Sequence, residues 1–196
     1  MHGVELDGLE VEVAGRTDTA IARDLLRRAG VADGAIDARA GEVAVAAVAA
    51  YDELCPPDLS EYVAPGVPEA LDALAGEPER YRLALVTGNL EPVARRKLAS
   101  AGIGHHFAAG QGGFGSDSEH RGELPAVARA RAGGWPRERT VVIGDTPRDS
   151  ACARADRVRV IAVATGPYSA EALADADAVV DGVRAALPVL ADFARD

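Results

Sequence analysis

Two short stretches of this sequence carry residue types that could do chemistry together. Thr87-Gly88-Asn89 closes the apolar run "RLALV", and Gly144-Asp145-Thr146-Pro147-Arg148-Asp149 closes "TVVI". A hydroxyl, a glycine that admits close backbone approach and the start of a helix make a cradle for a phosphate-like oxyanion. A carboxylate directly after a strand, with a second one helical turn later, suits a hard cation. Magnesium takes oxygen ligands, keeps several waters and needs only one or two carboxylates. Plainer readings exist for both stretches: a simple helix N-cap at Thr87–Asn89, and a capping Asp145 beside a solvated Asp149. Taken as a pair, they favour one pocket for a divalent ion beside phosphate.

Few other groups compete. Arg121 in "GSDSEHRGELPAVARA" opens a helix and could set a fixed positive charge against phosphate and carboxylates; its plain reading is a surface arginine. Lys97 is a weaker candidate, because "ARRKLASAG" reads as a solvated helix face. His105 and His106 precede Phe107 at a strand start, where a turn or a partly buried role is expected; His120 is the one histidine kept beside the site. No Ser-His-Asp arrangement and no P-loop is present. Cys55 and Cys152 have neither zinc-type spacing nor a disulfide framework, so both read as structural thiols of a reduced, cytoplasmic protein.

The elements that must position these residues follow from length and pattern. A chain of 196 residues allows one domain, or one with a smaller insertion. Only 4% of it is aromatic, so Ala, Val and Leu must build the core. A net charge of −10 with no basic stripe argues against nucleic acid, and it requires a local positive site, such as a metal, to hold an anionic substrate. No apolar run approaches the ~18 residues of a membrane span. Up to about residue 63 the pattern is helical: "GRTDTAIARDLLRRAGV", with Thr17 or Asp18 as N-cap, then one long alanine-rich helix in "AIDARAGEVAVAAVAAYDELCPPD" that Pro56 and Pro57 end. From residue 64 strands and helices alternate. Strands are expected in "YRLALVTGN", "HHFAAGQGG", "RTVVIGD", "VRVIAVATG" and "AVV"; helices are expected in "EPVARRKLASAGI", "RGELPAVARARAGG", Pro147–Ala155, "AEALADAD" and the closing segment. That alternation predicts an α/β fold with a parallel sheet covered on both faces and function at the strand C-termini.

"RLALVTGN", a basic residue opening a helix, and "VVIGDTPRD" in that order resemble the haloacid dehalogenase-like (HAD) hydrolase superfamily, in its phosphoglycolate-phosphatase-like branch. "APGVPEALDAL", "KLASAGIGHHF" and "VIAVATGPYSAEAL" agree, and the resemblance runs from about residue 12 to about residue 190. It implies a three-layer Rossmann-like core over residues 64–196 with a small helical cap over 1–63. It further implies that Thr87, with Gly88 and Asn89, binds phosphate, that Asp145 and Asp149 bind Mg2+, and that "AGRTD", with Arg16, is the cap segment screening the site. Arg121 stands where the family usually has lysine. The implied activity is magnesium-dependent hydrolysis of a small phosphorylated metabolite, with Thr87, Arg121 and Asp145 in the catalytic set. The alternatives are a phosphomutase or dehalogenase of the same fold, or a non-catalytic binding protein that retains it.

The front of the chain departs from the family. Members open with an apolar strand ending in Asp-x-Asp-Gly-Thr, whose first aspartate attacks phosphorus and whose second is general acid/base. Here Glu5-Leu6-Asp7-Gly8-Leu9 imitates that motif, but four residues before Glu5 are too few for a buried strand of about five or six. The expectation is a chain that begins downstream of the true motif, with the central strand missing and turnover negligible. Adjacent strands sit ~4.8 Å apart, so the strands ending at Thr87 and Asp145 should flank a gap of ~10 Å. The gap could stay open, close by direct pairing, or be filled by "VELDGLEVEV". For an isolated chain the open slot is expected; among packed copies, closure or a swapped segment.

Overall fold

The computed structural model describes residues 2–195. Helices α1 (Asp18–Arg28), α2 (Asp33–Ala38) and α3 (Ala40–Leu54) come first. Thr17 caps α1, its hydroxyl accepting the Ala20 N–H at 3.2 Å, with Asp18 in the first turn and Arg27 and Arg28 in the last. This placement complements the helix dipole at both ends. The long helix expected from residue 35 to the prolines is instead broken: α2 ends at Ala38, Arg39 leaves helical geometry at φ −124°, and α3 restarts at Ala40. The break turns α2 so that Ile36 is buried beside α1, which a single straight helix would not allow.

The second part contains α4 (Val67–Ala75), β1 (Val86–Thr87), α5 (Glu91–Ser100), β2 (Gly113–Phe114), α6 (Leu124–Arg131), β3 (Val141–Gly144), α7 (Pro147–Asp156), β4 (Arg159–Val163), β5 (Ala178–Val180) and α8 (Val183–Phe193). Prolines occupy the first turn of α4, α5, α6 and α7, where the missing N–H costs nothing. Two expectations are corrected here. His105 and His106 lie in a 3-10 turn, Gly104–His106, and the strand of that region comes later, at Gly113–Phe114. The segment before β5 is a series of turns, not a helix: Asp177 accepts the Val160 N–H at 2.7 Å and pairs with Arg154 at 2.9 Å, which ties that stretch to β4.

All observed pairings are parallel. β4 is central to one sheet, with Ile143 opposite Ile161 and Ile161 opposite Ala178; β1 and β2 form another, with Thr87 opposite Phe114. Helices cover both faces of β3-β4-β5. Leu74 of α4 and Ala186 and Leu190 of α8 pack with Ile161 on one side; Ala153 of α7 packs with Val142 and Val160 on the other. Among the described residues no ladder joins β1 to β3. Instead a cavity of about 170 Å³ is lined by Val86 of β1 and the preceding Ala84 on one side and by Val141, Val142 and Ile143 of β3 on the other. A second, of about 490 Å³, lies between Leu83, Ile143 and Phe193. Ile143, mid-strand and β-branched, is 39% exposed because no described residue covers its flank. "VELDGLEVEV" does not fill the space; its Glu5 and Asp7 are exposed and line neither cavity.

An ion-pair cluster locks α6 to α7. Asp156, 5% exposed, accepts from Arg129 at 2.6 and 2.8 Å and from Arg137 at 3.0 Å. Burial pushes its carboxyl upward, but the hydrogen bonds and charges of the arginines outweigh it and hold the group below the usual carboxylate range. A folded-state value below the unfolded ~3.9 means stabilisation that is present above that pH and lost as pH falls through the folded value. Asp156→Asn removes the charge that faces the part-buried Arg129 and is expected to cost about 3–5 kcal/mol at neutral pH. Denaturant titrations across pH should show this gap narrowing below about pH 4; a constant gap would mean that the pair contributes packing alone.

Candidate functional site

At the β1 end, three pieces of backbone meet with no side chain between them. The Gly88 carbonyl accepts the Asp18 N–H at 2.8 Å, and a Cβ on Gly88 would lie 2.0 Å from the Arg16 carbonyl oxygen. A Cβ on Gly115 would lie 1.9 Å from the Gly88 oxygen. Only glycine fits at either position. Thr87 accepts the Asn89 N–H on its hydroxyl oxygen at 3.3 Å, which leaves the hydroxyl hydrogen free to donate. Asn89 donates to Asp18 at 3.0 Å and accepts from Lys97 at 3.0 Å, while Asp18 also accepts the Leu90 N–H at 2.8 Å. The side chain of Asn89 therefore ties α5 to α1, and Lys97 is part of that tie.

At the β3 end, Asp145 and Asp149 do different things. The carboxylate of Asp145 is exposed and leans over Gly166, where an added Cβ would lie 2.7 Å from its Oδ2. Asp149 is 7% exposed and fully engaged: Oδ2 accepts from the Asp145 N–H at 3.1 Å, the Thr146 N–H at 3.0 Å and the Thr146 hydroxyl at 2.9 Å, while Oδ1 accepts from Arg121 at 2.6 Å. With the Asp149 N–H bonded back to the Thr146 hydroxyl, this is a capping box on α7. Gly144 is required beneath it, since a Cβ there would sit 2.4 Å from the Asp149 carboxylate.

Two strips of chain bridge these ends. Glu12 pairs with Arg148 at 2.8 Å and Gly15 rests on the Arg148 side chain, while Asp18, a few residues on, docks on the β1 end. The Thr17 hydroxyl donates to the Glu119 carbonyl at 2.9 Å, two residues before Arg121 reaches Asp149. The Asp18–Thr17–Glu119 path thus links Gly88 and Asn89 at the β1 end to the segment that carries Arg121, which pairs with Asp149 beside the Asp145 N–H. Arg16 lies beside it with its donors committed to Asp24 at 3.0 Å and to the Ala20 and Glu12 carbonyls. His120 bonds Ser118 through its backbone N–H and lines a surface hollow with Arg16. Cys152 donates to the Arg121 carbonyl at 3.1 Å, and burial pushes its thiol up to about 11, which makes it a poor nucleophile.

Asp18 is what sequence reasoning missed. It read as an alternative helix cap, and nothing local announces partners 71 and 72 residues away. Above Asp18 a cavity of about 280 Å³ opens between α1, α3 and the loop after β2, lined by Ala22, Leu26, Ile36, Val43, Ala47 and Arg23. Arg23 is held by Glu119 at 2.7 and 2.8 Å and by Asp37 at 2.7 Å.

A family model described as haloacid dehalogenase-like hydrolase matches residues 8–154, three quarters of the chain. The protein is a HAD-like hydrolase. No curated protein matches it. The family match spans both strand ends and the bridging strips. No described helix is long and apolar enough to cross a membrane.

The donor set at the β3 end of this HAD-like hydrolase fits magnesium. It offers the exposed carboxylate of Asp145, which packs close over Gly166. Magnesium, which keeps most of its waters, accepts so sparse a protein contribution. Asp149, with both oxygens in use, orients the loop that carries Asp145.

Proposed function

We propose that this HAD-like hydrolase acts on small organic phosphomonoesters with Mg2+, and that its nucleophilic carboxylate is carried by a further strand seated between β1 and β3. The observation that carries this reading is the slot: parallel strands flank one cavity, and both end at residues suited to phosphate and metal. Within the slot, Asp149 is spent on Arg121 and the α7 cap, and Glu138 lies before β3 at the opposite end. Neither is placed to attack, so residues 2–195 alone should turn over negligibly.

The Thr87 hydroxyl and the backbone after it would donate to the phosphoryl oxygens, and Asp145 would hold the ion. Magnesium, when bound, neutralises charge on the transferring group. Arg121, fixed by Asp149, adds positive charge without leaving its place. The supplied carboxylate would attack phosphorus in line as the ester oxygen departs with a proton; water then cleaves the acyl phosphate and releases inorganic phosphate. The segment 1–63 with its helices α1–α3 would act as the cap that excludes water, docked by Asp18. The cavity above Asp18 is mainly apolar, and its one lining cation, Arg23, is already paired, which favours an apolar leaving group over a carboxylate-bearing one. The free thiols of Cys55 and Cys152 suit a cytoplasmic setting.

Thermal melts with magnesium and inorganic phosphate test the metal assignment. At ten times the dissociation constant a ligand adds about 1.4 kcal/mol, roughly 3–6 °C for a chain of this size. That shift should appear in the wild type and vanish in Asp145→Asn. An unchanged shift in the variant would remove Asp145 as the ion's holder.

A further inference from the structure

Among the described residues, one group of three metal-ligating side chains lies far from the site above. Asp72, His105 and His106 place one potential ligand atom each within 4.8 Å of one another. The group is assembled by tertiary structure: Asp72 comes from α4, and the histidines from the 3-10 turn Gly104–His106 that follows α5. α5 leaves the β1 end at Glu91 and runs ten residues, about 15 Å, before that turn. The cluster therefore sits at the far end of α5 from Thr87 and shares no residue with the strand-end site.

We propose that Asp72, His105 and His106 form a binding site for a divalent ion of the zinc type, joining α4 to the turn after α5. The geometry is close to what zinc requires. Tetrahedral ligands at ~2.0–2.1 Å from the ion stand about 3.3–3.4 Å from each other. His106 Nε2 and Asp72 Oδ1 are 3.4 Å apart, already one edge of such a tetrahedron. The His106 side chain is 5% exposed, which fixes its ring, whereas His105 and Asp72 are exposed and free to swing inward. The imidazole rings lie with centroids 4.0 Å apart at 38°, so no third partner separates them. Three ligands would leave the fourth position to water. Imidazole suits zinc, copper or nickel and is a poor ligand for magnesium, so this site and the strand-end site discriminate between ions by donor type.

The competing account is a plain His106–Asp72 ion pair with His105 as a bystander, and zinc chloride titration of the tag-free full chain separates the two. Calorimetry should show one saturable zinc event, with a matching rise in Tm that magnesium does not produce. His105→Ala, which removes an exposed side chain and spares the His106–Asp72 contact, should weaken zinc by more than the ~10–100-fold typical of a lost outer-shell partner. Cobalt substituted into the wild type should give the visible absorption of a tetrahedral site, absent in His105→Ala. Asp72→Asn, also exposed, should weaken zinc as well. No saturable binding, or equal binding by wild type and His105→Ala, would overturn the proposal. Failure here leaves the phosphomonoester reading untouched, since no residue is shared.

Discussion

Asp149→Ala is expected to destabilise the metal-free protein by about 3–5 kcal/mol, the usual result of breaking a buried pair by removing one partner. For a chain of this size the shift is roughly 6–20 °C in Tm. The reason lies in what the carboxylate holds. It accepts from Arg121, from the Asp145 and Thr146 N–H groups and from the Thr146 hydroxyl, and its side chain is only 10% exposed. Removing it strands a guanidinium whose Nε already lacks a partner, and opens the capping box of α7. Asp149→Asn keeps an acceptor for the cap but loses the charge opposite Arg121, and should fall between wild type and Asp149→Ala. Denaturant melts without metal decide it. A free, metal-seeking carboxylate would give the reverse result, because removing negative charge beside Asp145 in the absence of a cation would be neutral or stabilising.

That contrast shows where the sequence was legible. That Thr87 closes β1 and Asp145 directly follows β3 could be read from apolar runs ending at Thr or Gly, although the two strands lie in separate ladders. Asp149 was read through its spacing from Asp145 as a second ligand. The same letters, Thr146-x-x-Asp149, also spell a capping box, and the hydrogen bonds follow that pattern. Local signals also could not fix the break at Arg39, since alanine-rich sequence is compatible with one helix or two; burial of Ile36 settles it through a tertiary contact. Nor could they reveal Asp18, whose partners lie on another element.

β1 shows how the slot shapes its neighbours. "YRLALVT" reads as a full strand, yet only Val86 and Thr87 lie in a ladder, on the side of β2. A parallel strand buried on both faces is held by partners at both edges, and residues 81–84 line the cavities they share with Val141 and Ile143. Unpaired backbone groups in such a place are costly. An inserted strand would satisfy both flanks and cover Ile143. Its C-terminal end would emerge beside Thr87 and Asp145, where an attacking carboxylate belongs.

The second large effect follows. A chain extended ahead of residue 8 by an apolar strand ending in Asp-x-Asp-Gly-Thr should melt higher than the 196-residue chain. It should also show phosphatase activity far above that of the 196-residue chain. A carboxylate nucleophile is an all-or-none component of such a pathway, so the gain should span several orders of magnitude rather than a factor of two.

The decisive measurement is hydrolysis of an aryl phosphate by this extended protein, with and without magnesium, beside its first-Asp→Asn variant and Asp145→Asn. The proposed arrangement predicts magnesium-dependent release of phosphate by the extended protein and loss of it in both variants. A folded, stabilised extended protein that releases none, or equal release by the 196-residue chain, would contradict it.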